Sequence, residues 1–497
     1  MRALFGAALR VPAMQKYMRA LLSPSALPVD FATRRLSTAA SAAPSSSANY
    51  TSGDLQGKLA KQIRVRGAMT IKEFMTVALT HPVHGYYMRR EEVFGRGGDF
   101  VTSPEVSQVF GELIGVWCVA CWERLGQPRK LRLMEAGPGR GTLIADVLRS
   151  TAVFPGFHAA LSVDLVEVSD HLREVQQQTI AATGAASAVD VRWHTSLESI
   201  PADPDVPELT IAHEFLDALP VHQLVRTPQG WRERMVELRE HTASAAAAAV
   251  DPHAERTDEL RDLEADSRVF DFVLSANPTP ASILFGARRG GDVVAEAKAA
   301  AEAKATAEAT KAQTQGVEQQ ERDQTGGVVP VLDSAEICPG ALSFVQQLCK
   351  RMAVTRGAAL MIDYGNDETP KDSLRGILRH APVHPLHQPG LVDLSVDVDF
   401  GTLRQVARET AGSSLRCPPL STQRDFLAAM GLEARINALL KGMDDREARK
   451  ELVRSAGRLV ASPGMGTAYK VFAITHASVG TDGVAGFPDA PLLDGGR

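Results

Sequence analysis

Cysteine is scarce in this chain, five among 497 residues, and so few thiols in so long a sequence exclude a disulfide framework as the source of stability. Cys118 and Cys121 are spaced as a C-x-x-C, yet no second pair and no nearby histidine joins them. They lie in an apolar helical pattern from Val109 to Leu125 and read as small buried hydrophobes rather than metal ligands or a redox couple, so no metal is expected. Apolar runs of the about 20 residues needed to cross a bilayer are also missing. Positive charge is short as well. Beyond the first 48 residues, 48 Lys and Arg face 58 Asp and Glu, a balance of about −10 that argues against a nucleic-acid partner. Length and a 44% apolar content are plentiful, enough to bury a large core.

The first 48 residues differ from the rest. Arg2, Arg10, Lys16, Arg19, Arg34 and Arg35 stand against one acid, Asp30, among many Ala and Ser. This is the make-up of a mitochondrial presequence, with an amphipathic start over Met1 to Leu22 and a processing site near Arg34-Arg35-Leu36-Ser37. Residues 1–48 are therefore expected to be a disordered targeting segment, and the mature chain to work in the mitochondrial matrix.

Most informative is Leu131-Arg-Leu-Met-Glu135-Ala-Gly137-Pro-Gly139-Arg-Gly141-Thr142. It reads as an apolar strand, an acidic tip, a glycine turn and a helix start. The glycines recur at every second residue, whereas a dinucleotide-binding turn places its third glycine one position later. Side-chain-free backbone at a strand-to-helix turn suits close approach of S-adenosylmethionine, which has no pyrophosphate to seat. Downstream, Leu143, Ile144, Val147 and Leu148 keep helical spacing, and the run Ser162 to Val168 is a strand ending in Glu167. Glu167 falls 26 residues after Gly141, where nucleoside-binding folds place an acid for the ribose hydroxyls. Glu135, Gly137, Gly139, Gly141 and Glu167 are the expected cofactor-binding residues, with Thr195 or Ser196 near the adenine.

Along the chain, residues 54–130 read as a helical and lid-loop cover. Turn residues crowd His81 to Glu105, and Ser103-Pro104-Glu105 opens a helix. Residues 131–476 read as the core: strand, helix, strand, helix, then strands near Val191–His194, Leu209–Phe215, Ala358–Ile362 and Tyr469–Thr475. This alternation predicts a class I, Rossmann-like, seven-stranded doubly wound α/β sheet. Low-complexity insertions are expected at about 240–254 and 288–327, and residues 477–497 as an unstructured tail.

Several further motifs carry a resemblance: Gly98 to Ser107, Glu135 to Gly141, His213-Glu-Phe-Leu-Asp217 to His222, Gly230-Trp-Arg232, Asp363-Tyr-Gly365 and Val396 to Phe400. Together they resemble the MidA-like family of mitochondrial arginine methyltransferases that act in respiratory complex I assembly. The resemblance spans about Lys58 to His476. It implies transfer of methyl groups, as a symmetric dimethylation, to an arginine of a complex I subunit.

Methyl transfer to nitrogen is an in-line displacement that demands alignment and exclusion of water. A guanidinium is a poor nucleophile, being protonated and delocalised, so the site needs carboxylates that grip its N–H fork and localise its charge. Glu214, at the tip of the fourth strand, is the leading catalytic acid and Asp217 its companion; both have structural alternatives as an ion pair or a cap. Asp363, Glu105 and Asp99 are weaker candidates, and His213 and His222 read as pocket walls rather than proton acceptors. Two rival functions remain open at this point: an assembly chaperone holding the cofactor without catalysis, and a small-molecule methyltransferase.

Overall fold

The computed structural model describes residues 53–89, 101–184, 189–239, 269–289, 333–479 and 484–487. The expected presequence, Asp99, the segment 240–254 and all but the first two residues of 288–327 lie outside the described residues.

Six strands make the body of the central sheet: β1 (Leu131–Ala136), β2 (Leu161–Val166), β3 (Asp190–His194), β4 (Glu208–His213), β5 (Gly357–Asn366) and β6 (Tyr469–His476). Their spatial order is β3-β2-β1-β4-β5-β6, with Leu415–Arg416 beyond β6. β1 to β5 run parallel and β6 antiparallel to β5. Two short strands, Val398–Asp399 and Ser421–Thr422, pair with β5 and β6 off this path. The sheet thus has nine strands, seven on one path, where the sequence predicts seven in all.

Both faces of this sheet are covered, so its central strands β1 and β4 are buried along their whole length; of the charged residues they carry, Arg132 pairs with Asp164 and Glu208 at 3.0 and 2.7 Å. Leu131, Leu133, Val163, Leu165, Leu209, Ile211, Leu360 and Ile362 pack on one side with helices α1 (Gln108–Arg124) and α2 (Thr142–Thr151). Met134, Ala136, Ala212, Ala359 and Met361 face the other way, against α4 (Pro339–Thr355) and α5 (Phe400–Ala411); α3 (Asp170–Ala181) links β2 to β3. Helix α1 is therefore a core helix, not part of the cover assigned to residues 54–130. Cys118 and Cys121 are buried in it, and burial pushes the Cys121 thiol up to about 12.

Helix α1 also carries a charge into the core. Glu112 is fully buried, and Arg435 donates to it at 2.7 Å from a guanidinium that is 2% exposed. Arg435→Met should leave that carboxylate only the longer contact with Arg149 at 3.4 Å and lower stability by about 2 kcal/mol, read as an earlier urea midpoint at unchanged slope.

A second, antiparallel sheet is absent from the sequence-based expectation. Met69–Thr70, Gly230–Leu238, His222–Thr227 and Asp333–Ile337 lie in that order, and Phe270–Leu274 pairs with Gly230–Leu238. It shares an apolar cluster with the N-terminal helices through Leu59, Phe74, Val236, Phe270 and Leu394. A three-stranded sheet, Arg375–Leu378, Ala381–Val383 and Asp393–Ser395, completes the cover.

The expectation of an unstructured tail from residue 477 needs correction. Ala477–Val479 forms a turn of 3-10 helix, and Phe487 is buried with its ring 5.7 Å from Phe426. One large aromatic supplies enough apolar area to fix a short segment despite its polar neighbours. No described helix is long and apolar enough to cross a membrane.

Candidate active site

Because β1 to β5 are parallel, their carboxyl ends share one edge, and the order reverses between β1 and β4. Ligands of open α/β sheets bind in the crevice outside such a switch point. A cavity of about 650 Å³ opens there, lined by Glu135, Gly137, Gly139, Glu167, Thr195, Ser196, His213, Glu214 and Asp217 among others.

The glycine turn is shaped by its backbone. Gly137 and Gly141 have φ of 64° and 79°, left-handed values that side chains disfavour. A Cβ on Gly137 would also come within 2.7 Å of the Phe215 ring. Gly141 does not line the cavity: it precedes α2 and lies against Gln176, so packing rather than ligand approach demands glycine there.

Gln176, missed in the sequence, ties the turn together. Fully buried, its amide donates to Gly139 O at 2.8 Å and to Glu167 Oε2 at 3.1 Å, and accepts from Trp193 Nε1 at 2.8 Å. Its signal was available: it stands between Leu172 and Ile180 at helical spacing, a polar side chain on a buried stripe. Gln176→Leu should weaken cofactor binding about ten-fold by unpairing Glu167 and the turn, measurable by calorimetry.

Two acids flank the turn. Glu135 is 2% exposed and burial pushes its carboxyl up to about 8, with the Ile144 amide opposing; its Oε2 is buried and unpartnered. Glu167 accepts from the Ser169 amide at 2.8 Å, and burial raises it too. An unpartnered buried carboxylate oxygen beside a glycine turn fits an ammonium group, and an acid at the β2 tip fits a pair of ribose hydroxyls. These residues suit an adenosylated amino acid.

The far side of the cavity is acidic. Glu214 follows β4 with φ of 50°, a left-handed strain for a non-glycine residue held by its amide on Ile362 O at 3.0 Å. Its Oε1 lies 3.2 Å from His213 Nε2 and accepts from the Ser103 amide at 3.4 Å. Burial foremost, then Asp217, raise the Glu214 carboxyl well above the ordinary range, against a hydrogen bond from Tyr469. Asp217 is raised by burial and by Asp363 and Asp393, with Arg375 opposing. His213 lines the cavity with its pKa lowered by burial to about 3, a neutral wall rather than a base.

Other candidates sit elsewhere. Asp363 does not line the cavity: Oδ2 accepts from the Leu216 and Asp217 amides at 2.9 and 3.2 Å, so it shapes the loop that carries the two acids. His222 faces Glu233 at 2.5 Å in the second sheet, away from the cavity. Glu105 lines the cavity and closes a capping box with Thr102. Tyr364, Arg375 and Asp393 also line it, none of the last two foreseen. Among the described residues no cluster of His, Cys, Asp and Glu is arranged to hold a metal ion.

A glycine turn, a β2-tip acid and an acidic far wall on one sheet edge describe a group-transfer site for an adenosylated donor. The family model described as "Putative S-adenosyl-L-methionine-dependent methyltransferase" matches residues 113–418. The chain belongs to this methyltransferase family. It is an enzyme, and its cofactor is S-adenosylmethionine. This methyltransferase is 33% identical over 437 residues to the mitochondrial protein arginine methyltransferase NDUFAF7 of Danio rerio, covering 84% of this chain and 86% of that one. With NDUFAF7 of Homo sapiens it shares 32% over 434 residues, 83% and 81% of the two chains. In fold it is similar to a Burkholderia thailandensis protein crystallised with S-adenosyl-homocysteine, at a TM-score of 0.63 and 23% identity over 88% of this chain and 95% of that one.

Proposed function

We propose that this methyltransferase transfers methyl groups to an arginine of a protein, as a symmetric dimethylation of a respiratory complex I subunit in the mitochondrial matrix. The observation that carries the reading is the pair Asp217, buried, and Glu214, with its side chain 7% exposed, three residues apart at the tip of β4 and lining the cavity beyond the glycine turn. Buried carboxylates without enough counter-charge favour an incoming cation, and a guanidinium offers several N–H donors to them. The relatives' names as mitochondrial protein arginine methyltransferases support a protein arginine as the acceptor and the mitochondrion as the compartment.

Bound S-adenosylmethionine supplies the electrophilic methyl carbon. Glu135 would take its amino group and Glu167 its ribose hydroxyls, and Gly137 and Gly139 would let the backbone pass close to it; Gly141 keeps the turn against α3. Glu214 grips the acceptor guanidinium and draws positive charge away from the attacking nitrogen, and Asp217 fixes its plane. Glu214 would also take the proton that the acceptor nitrogen gives up on methylation. Mass spectrometry of mitochondrial proteins from cells with and without this chain tests the reading. A dimethylarginine on a complex I subunit should vanish with the chain; an unchanged methylarginine inventory overturns the assignment.

A further inference from the structure

Beside the β4 tip, where the Val396 amide donates to Asp217 O at 3.0 Å, the cavity is lined by one face of the small three-stranded sheet. Its strands pair Arg375 with Ser395 and Ile377 with Asp393, and these four residues all line the cavity. Successive residues of a strand point to opposite faces. The intervening Gly376 and Leu394 are buried, Leu394 in the apolar cluster under the N-terminal helices. The sheet is thus amphipathic, with its polar side turned into the cavity.

On that side, Arg375 is engaged: it pairs with Asp397 at 2.6 Å and lies 5.0 Å over the Tyr364 ring. Asp393 accepts at 3.1 Å from the hydroxyl of Tyr87, itself a half-buried cavity residue of the cover. The hydroxyl fixes the direction of that carboxylate. Asp393 also bears electrostatically on Asp217 and Tyr87, and Asp217 bears on Tyr87 in turn, so the three meet at one end of the cavity. One carboxylate engages only one edge of a planar guanidinium; a second, from a separate strand, fixes the plane and in-plane rotation.

We propose that Asp393, oriented by Tyr87, is a second acceptor-binding carboxylate that engages the substrate cation from the small sheet beside Asp217. This inference rests on the reading of the cavity as a site for a guanidinium acceptor. It makes the small sheet the substrate-side wall and separates it from the cofactor end, where Glu135 and Glu167 stand. Tyr87 belongs to the N-terminal cover, so the cover completes the acceptor site rather than merely capping the core.

The test uses the full chain saturated with S-adenosyl-homocysteine, titrated with N-methylguanidinium in a calorimeter, alongside acceptor KM in turnover. Asp393→Asn should weaken the probe about ten-fold or more and raise KM with kcat less affected, leaving S-adenosyl-homocysteine affinity unchanged. Tyr87→Phe should weaken the probe by about two- to five-fold, since the carboxylate stays but loses its orienting donor. If Asp393→Asn also loses S-adenosyl-homocysteine, Asp393→Ser, smaller and still able to accept from Tyr87, decides in its place. Wild-type binding of the probe by the charge-free variant, or no binding by the wild-type chain, overturns the subsite. Asp393-dependent binding in a chain that methylates no arginine retains the subsite and removes the arginine reading. Arginine methylation with KM unchanged in Asp393→Asn retains that reading and removes the subsite.

Discussion

Glu214→Gln should lower kcat by about 10³-fold while S-adenosylmethionine binds as before, because the amide keeps the shape of the side chain and loses the charge that the acceptor needs. The residue stands at the methyl-accepting side, not at the glycine turn, so donor affinity and turnover separate cleanly. A pH signature accompanies the loss. Burial and Asp217 raise the Glu214 carboxyl well above the ordinary carboxylate range, so it is ionised only at higher pH than an exposed glutamate. The acid limb of kcat/KM for the acceptor should therefore lie above that range, with activity rising as pH rises. Glu214→Gln should flatten this limb. Steady-state rates across pH, with binding of the donor measured separately, check both parts. Full turnover in the variant would remove Glu214 from the chemistry and leave it as an orienting neighbour of Ser103.

Gly139→Val should weaken S-adenosylmethionine by at least about a hundred-fold. The position has φ of 54° and lines the cavity. A β-branched residue in this backbone region is strained by about 1–3 kcal/mol, and its two methyl groups would occupy the face along which a ligand passes. The effect should be seen by calorimetry with S-adenosyl-homocysteine, with the far-ultraviolet spectrum unchanged because the Leu131–Ala136 strand and the helix beyond it are supported by the core. Unaltered affinity would place the donor elsewhere in the cavity.

These two sites were the most legible parts of the chain. The glycine turn announces itself because an exact spacing of small residues follows a short strand, and the parallel strand Gly357–Asn366 is legible because burial on both faces leaves Ala358–Ile362 without polar interruption. Glu167 and Glu214 follow from strand ends alone. The antiparallel sheet was hidden for a different reason. Its partners are far apart in sequence, as in the pairing of Gln223 with Glu336, and long low-complexity stretches separate them. A half-buried strand such as His222–Thr227 then has no local neighbour to suggest its pairing.

Asp393 was out of reach for a related reason. A strand of three residues, Asp393–Ser395, is too short to show a period of two, and its value lies in pairing across a small sheet with Arg375–Leu378. Asp363 misled by position: it ends the run of buried residues in the 357–366 strand as a catalytic acid would, yet its oxygens are turned back to the amides of Leu216 and Asp217. A strand-tip acid can serve either a substrate or the loop beside it, and only the direction of its oxygens tells them apart. Gln176 sits between these cases, since its helical stripe was readable while its two acceptors were not.

The central claim is that this cavity presents a methyl group to a guanidinium. It is tested most directly by incubating the purified chain with S-adenosylmethionine carrying a deuterated methyl group and an extract of mitochondrial proteins, then mapping the label by mass spectrometry. Label on the ω-nitrogens of arginine, lost in Glu214→Gln, is the predicted result; label confined to lysine, to another residue or to small molecules would contradict it.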